Sequence, residues 1–298
     1  MLAIVGTVPD SKFPLTMGKV VLQGRSIWLG GRAVPVNRGT PALLAAACSV
    51  LEFLGHSGPF GYLVGDLGLG QGSRRLYWHL AENLGSTQFH TIAFHYLQPD
   101  VDWHNRVLFA VEDLPRKPLL IADAGFMYAA KMSGQAPSYD LFTPDVGELA
   151  FLADEAAPHP FYTRGFILHE DNRVPELASR AYLHDNAATY LLVKGARDHL
   201  IDRRGVLAVV EEPSCEAMEA IGGTGDTLTG IVAALCATGM DLAKAAALAA
   251  WVNRLAGCLS DPTPATQIAE IIEQIPSALA KAFQSPEFQE GYLNGVRS

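Results

Sequence analysis

Residues 221–230 read Ile-Gly-Gly-Thr-Gly-Asp-Thr-Leu-Thr-Gly, and an apolar helical pattern follows without a gap. Glycines, a hydroxyl and one carboxylate therefore stand where a helix begins. The first amides of a helix lack intrahelical partners and lie at the positive end of its dipole, so they receive an anion such as phosphate. Glycine lets that backbone approach a ligand closely. Asp226 does not fit a loop built only to hold phosphate, because a carboxylate repels one. It suits a base that takes the proton of a hydroxyl attacking, or carrying, a phosphoryl group. Leu228, Ile231, Val232 and Leu235 follow the spacing of one buried helical face, Gly239 is a stop signal and Asp241 a cap for the next helix. A turn whose aspartate merely caps its helix is the plain alternative. No Gly-x-x-x-x-Gly-Lys-Ser/Thr run and no strict Gly-x-Gly-x-x-Gly is present.

Strands and helices alternate along the chain. Strands are predicted over 62–64, 91–94, 118–122, 139–142, 189–193, 199–202 and 206–210. Helices are predicted over 41–54, from Ser73 as N-cap, and over 103–112, 126–132, 145–153, 174–184, 224–238, 241–259 and 266–283. Residues 1–37 read as edge strands or an irregular entry, 158–171 carry no clear pattern, and 284–298 read as a loose tail. Such alternation predicts an α/β domain with a mostly parallel sheet covered on both faces, one domain over 1–298. Ligands of such sheets bind beyond the carboxyl ends of the strands. Asp123, Thr143, Lys194 and the 222–226 turn all follow predicted strands or open helices, and are expected to converge on one site.

The 222–230 stretch resembles the signature of the ribokinase-like superfamily. It is most similar to the ADP/ATP-dependent NAD(P)H-hydrate dehydratases, whose pattern here is typically Gly-Gly-Thr-Gly-Asp-Val-Leu-Ala-Gly. Other resemblances lie in the expected order. Leu-Ile-Ala-Asp-Ala at 120–124 is similar to a strand ending in Asp-Ala-Asp, with Ala122 at the first acid. Thr-Pro-Asp-Val-Gly-Glu at 143–148 is similar to Thr-Pro-His-x-Gly-Glu, with Asp145 at the histidine. Leu-Val-Lys-Gly at 192–195 is similar to a Leu-Lys-Gly strand end. Arg-Gly-Thr-Pro at 38–41 loosely resembles Ser-Gly-Ala-Pro, and Gly-Asp-Leu-Gly-Leu-Gly at 65–70 resembles Gly-Pro-Gly-Leu-Gly with Asp66 for the proline.

The resemblance implies a three-layer α/β/α sandwich. It implies catalysis by Asp226, with an anion hole from Gly223, Thr224 and Gly225. Nucleotide, ADP or ATP, is expected at Lys194, Gly195, Gly222 and Gly223. Gly39, Gly68, Gly70, Asp123 and Asp145 are expected at the other substrate, hydrated NAD(P)H. Glu148 is expected near Mg²⁺ through water, or else only as compensation of its helix dipole. The changed positions 66, 122 and 145 keep a kinase of a small hydroxylated metabolite open as a second reading. A nucleotide sensor without chemistry is the third.

Composition bounds the partners. The chain has 298 residues, 49% hydrophobic and 18% charged, with a formal net charge of −9, which argues against gripping nucleic acid through its backbone. The apolar stretches 41–54 and 242–252 are too short and Ala-rich to span a membrane. Cys48, Cys215, Cys236 and Cys258 have no C-x-x-C spacing, and a reducing cytoplasm is expected. The nine histidines show no zinc spacing, and His90 and His95 are read as non-catalytic. A homo-oligomer is left open. An epimerase, where one is needed, is expected as a separate chain.

Overall fold

The structure, a computed structural model, describes residues 1–157 and 173–285; the unclear 158–171 stretch and all but the first two residues of the predicted tail lie outside them. In chain order the elements are β1 (Leu2–Val8), β2 (Thr16–Lys19), β3 (Val21–Gln23), β4 (Ser26–Leu29), β5 (Arg32–Pro35), α1 (Thr40–Phe53), β6 (Phe60–Gly65), α2 (Gln71–Asn83), β7 (Thr91–Phe94), α3 (Val101–Glu112), β8 (Leu119–Ala122), α4 (Ala124–Met132), β9 (Leu141–Phe142) and α5 (Val146–Ala153). There follow α6 (Val174–Leu183), β10 (Tyr190–Val193), β11 (Asp198–Asp202), β12 (Gly205–Val210), α7 (Thr224–Ala237), α8 (Leu242–Leu259), α9 (Ile268–Ile272) and α10 (Ile275–Gln284). The sequence predicts one domain; the packing groups the chain into two compact units. One comprises Met1–Leu2, Thr16–Gly61 and the chain from Ala208 on, the other Ala3–Leu15 and Tyr62–Leu207.

Among the described residues the main sheet counts nine strands, and the eight centred on the second unit run in the order β12-β11-β10-β9-β8-β7-β1-β6. Strands β7 and β8, β8 and β9, and β9 and β10 pair in parallel, whereas β11 returns antiparallel on β10. The register sets Phe94 beside Ala122, Ala122 beside Phe142 and Phe142 beside Leu191. The carboxyl ends of four adjacent strands thus lie together. Their side chains are almost wholly buried, as the unbroken apolar runs of a sheet covered on both faces require.

In the first unit, β3, β4 and β5 form a separate antiparallel sheet. Helices α1 and α7 are apolar nearly all round and buried along most of their length. A Cβ on Gly230 of α7 would run into the carbonyl oxygen of Leu43 in α1. The two helices therefore touch backbone to backbone, at a position where glycine costs helix propensity.

Three expectations need correction. Residues 2–8 are an interior strand, because Leu-Ala-Ile-Val buries both faces and Gly6-Thr7 does not interrupt it. The helix predicted over 266–283 is two, because Pro276 has no N–H for the carbonyl four residues back and opens α10 instead. Helix α2 starts at Gln71 behind Gly70 (φ 79°), so Ser73 sits inside its first turn and is not the cap. Among the described residues no helix is long and apolar enough to cross a membrane.

Under α4 lies a buried polar cluster in which His104 Nε2 meets the Tyr139 hydroxyl at 2.8 Å and Nδ1 meets Ser133 Oγ at 3.2 Å. Burial lowers the imidazole to about 4, only weakly opposed by its contact with Asn105. Between about 4 and 6.5 the unfolded chain takes up a proton that the folded chain refuses, so stability falls as pH drops through that window. We expect a loss approaching about 3 kcal/mol, at roughly 1.4 kcal/mol per unit. Urea midpoints measured from pH 7 to 4 check this, and a His104→Leu variant is expected to flatten the profile.

Candidate functional site

Asp226 lies in the first turn of α7 and is 8% exposed. Its Oδ2 accepts the Gly39 N–H at 2.6 Å, a charge-assisted bond that fixes the carboxylate against the residue preceding α1. Gly223 caps α7 at φ 108°, a region closed to other side chains without strain, and no side chain caps the helix. A Cβ there would also meet Ile268 Cγ1 at 3.0 Å. From α8, Asn253 donates to the Thr224 carbonyl at 3.0 Å and accepts the Thr227 hydroxyl at 2.6 Å. Asn253 is buried in an otherwise Ala-rich helix, and that lone buried amide was the sequence signal for its role.

The second glycine-rich helix start behaves differently. Asp66 Oδ1 accepts the amides of Gly68, Leu69 and Gly70 at 3.0–3.1 Å, and Oδ2 accepts the Ser73 amide at 2.8 Å and hydroxyl at 2.9 Å. Burial alone would raise this carboxyl, but the hydrogen bonds from Ser73, Gly70 and Leu69 outweigh it and hold it below the ordinary range. The amides at 68 and 70, where a substrate was expected, thus serve the chain's own carboxylate. Asp66→Ala hands the exposed Gly68 and Leu69 amides to water but leaves the buried Gly70 and Ser73 donors unmatched, and is expected to lower the urea unfolding free energy by about 1–3 kcal/mol.

In the second unit, His95, Asp123, Thr143 and Lys194 each follow a strand end, and the structure brings Asp123 and Lys194 into contact. Lys194 Nζ lies 3.0 Å from both oxygens of the buried Asp123. Asp123 also accepts the Ala124 amide at 2.9 Å as cap of α4. His95 Nε2 stands 3.8 Å from Asp123 Oδ2 with both side chains buried. Reading His95 only against His90, across the strand, hid this proximity; its place one residue past β7 was the available signal. Tyr96 and Ala124 both take φ near +50° immediately beyond these two residues, and a Cβ on Gly125 would strike the Leu97 carbonyl. Left-handed backbone at two non-glycine residues persists only where the surrounding packing holds it.

Asp145 and Glu148 form a reciprocal capping box on α5, with Asp145 Oδ1 accepting the Glu148 amide at 2.7 Å and Glu148 Oε2 accepting the Asp145 amide at 2.8 Å. Tyr128 donates its hydroxyl to Glu148 Oε1 at 2.7 Å. Burial above all, opposed by Lys194 and aided by the charges of Asp145 and Asp123, raises the Glu148 carboxyl to about 8. Each Glu148 oxygen thus accepts one hydrogen bond. Among the described residues no cluster of His, Cys, Asp or Glu is arranged to hold a metal ion. The Gly195 amide is turned onto Asp198 Oδ1 at 3.2 Å.

The profile of the family described as NAD(P)H-hydrate dehydratase matches residues 99–277, more than half of the chain. The chain belongs to this family. The matched span includes Asp123, Asp145, Glu148, Lys194 and the 222–226 turn, and excludes Gly39 and the 65–72 loop. As a member of the NAD(P)H-hydrate dehydratase family the chain is an enzyme. An uncharacterised protein of Methanocaldococcus jannaschii is 40% identical over 238 residues, which are 80% of this chain and 98% of that protein. A bifunctional NAD(P)H-hydrate repair enzyme of Hyperthermus butylicus is 35% identical over 42% of this chain and 22% of its own length. An ADP-dependent (S)-NAD(P)H-hydrate dehydratase of Haloterrigena turkmenica is 41% identical over 20% of this chain and 24% of its own. The chain thus matches about a quarter of the length of these two named relatives.

Among solved structures, a ribokinase-like superfamily protein of Enterococcus faecalis is similar with a TM-score of 0.56 at 15% identity, over 94% of this chain and 86% of that one. Phosphofructokinase-2 of Escherichia coli, in complex with fructose-6-phosphate, is similar with a TM-score of 0.53 at 12% identity, over 94% and 99% of the two chains. The fold is ribokinase-like, with a large, mostly parallel central sheet.

Proposed function

We propose that the chain is an ADP- or ATP-dependent dehydratase that restores hydrated NADH or NADPH. The observation that carries this reading is the uncapped glycine start of α7 with the buried Asp226 carboxylate pinned inside its first turn, in a member of the NAD(P)H-hydrate dehydratase family. Asp226 takes the proton of the hydroxyl on the hydrated nicotinamide ring as its oxygen attacks the terminal phosphorus of the nucleotide. The amides of Gly223, Thr224 and Gly225 meet the charge that develops on the phosphoryl oxygens, at the positive end of the α7 dipole. AMP or ADP departs. The ring carbon–oxygen bond then breaks with loss of phosphate and of a proton from the adjacent carbon, which restores the double bond. Asp123, oriented by Lys194 on both oxygens, is proposed to accept a hydrogen bond from the substrate.

Phosphorus NMR of the reaction tests the sequence of steps. One inorganic phosphate and one AMP (from ADP) or one ADP (from ATP) are expected for each NADH formed. The changed positions Asp66, Ala122 and Asp145 fit the second reading, a kinase, or else a divergent dehydratase. A phosphorylated product that accumulates and does not decay to NADH would establish the kinase.

A further inference from the structure

Arg38 immediately precedes Gly39, whose amide holds Asp226. Gly39 itself turns with φ 69°. A Cβ placed on Gly222 would meet Arg38 Cδ at 3.7 Å, and one on Gly223 would meet Arg38 Cα at 3.4 Å. The stem of the arginine therefore runs across the two glycines that open the turn, within the same compact unit. Arg38 is exposed, and among the described residues it has no ion pair or hydrogen bond. Other arginines of this acidic chain are engaged: Arg25 with Glu273, Arg74 with Asp100 and Arg204 with Asp202. Asp226 poses an electrostatic problem for any phosphate beside it, and helix amides offset only part of that repulsion. A guanidinium supplies a full charge and a planar fork of donors that matches phosphate oxygens.

We propose that Arg38 is a phosphate-binding residue of the 222–226 turn, meeting the phosphate of a nucleoside di- or triphosphate whose transfer Asp226 promotes. The inference rests on the proposed function only for the identity of that phosphate. Titration calorimetry with ADP, ATP and adenosine, on wild type, Arg38→Ala and Arg38→Lys, tests it without turnover. Arg38→Ala is expected to weaken ADP or ATP about 10- to 100-fold, the worth of a charged hydrogen bond. Adenosine affinity and the melting temperature are expected to stay unchanged, and Arg38→Lys to fall between. Unchanged nucleotide affinity in Arg38→Ala, or an equal loss for adenosine, overturns the role of Arg38 and leaves the dehydratase reading standing. A wild-type chain that binds neither ADP nor ATP overturns both.

Discussion

Asp226→Asn is expected to lower turnover of hydrated NADH by about a thousandfold, the middle of the range for loss of a positioned general base. Nucleotide affinity is expected to stay within a few-fold of wild type or to improve. The substitution is conservative in shape. The amide oxygen of asparagine still accepts the Gly39 N–H that Oδ2 accepts at 2.6 Å, so the turn keeps its anchor. The lost quantity is basicity, together with a negative charge beside the phosphate. Asp226→Ala is a different experiment, because it also removes the partner of Gly39 and leaves a buried amide unmatched. Steady-state rates and nucleotide titrations on the Asn variant separate the two effects. Near-normal turnover in that variant would remove Asp226 from the chemistry.

Gly230→Ala is expected to destabilise the chain by about 3 kcal/mol, in the upper range for overpacking, and to reduce activity through the same displacement. The helix itself would accept alanine gladly, since alanine is the better helix former. The obstacle is the Leu43 carbonyl of α1, which a new methyl cannot pass without the helices separating. The amino end of α1 carries Gly39, so separation loosens the bond that orients Asp226. Ala46 also lies near that methyl, and Ala46→Gly in the same chain is expected not to restore stability, because a side chain is not the main barrier. Urea denaturation of the single and double variants checks this. A Gly230→Ala protein as stable as wild type would mean that α1 and α7 yield at no cost.

Much of this was legible in the residues. The strand at 91–94 and the helix following the glycine turn stand where the apolar spacing puts them, because local pattern and tertiary burial agree there. Contacts between distant segments were less legible. Asp66 read as an odd acid in a ligand loop, yet it fills the start of α2 itself, a role set by three-dimensional closure of the 66–73 loop. Asp123 and Lys194 are expected from their strand ends to converge; that they meet directly as an ion pair follows only from the strand order. Asn253 and Arg38 lie far in sequence from the turn they adjoin, and no spacing rule links them to it. Asp145 and Glu148 read as substrate and Mg²⁺ positions, yet their three-residue spacing is that of the capping box found in the structure.

The most direct measurement mixes wild-type protein and Mg²⁺ with hydrated NADH, with ADP, ATP or no nucleotide in parallel, and follows the return of NADH absorbance. The account predicts a rise with ADP or ATP and none without nucleotide. No rise with either, from a protein that binds them, would contradict it.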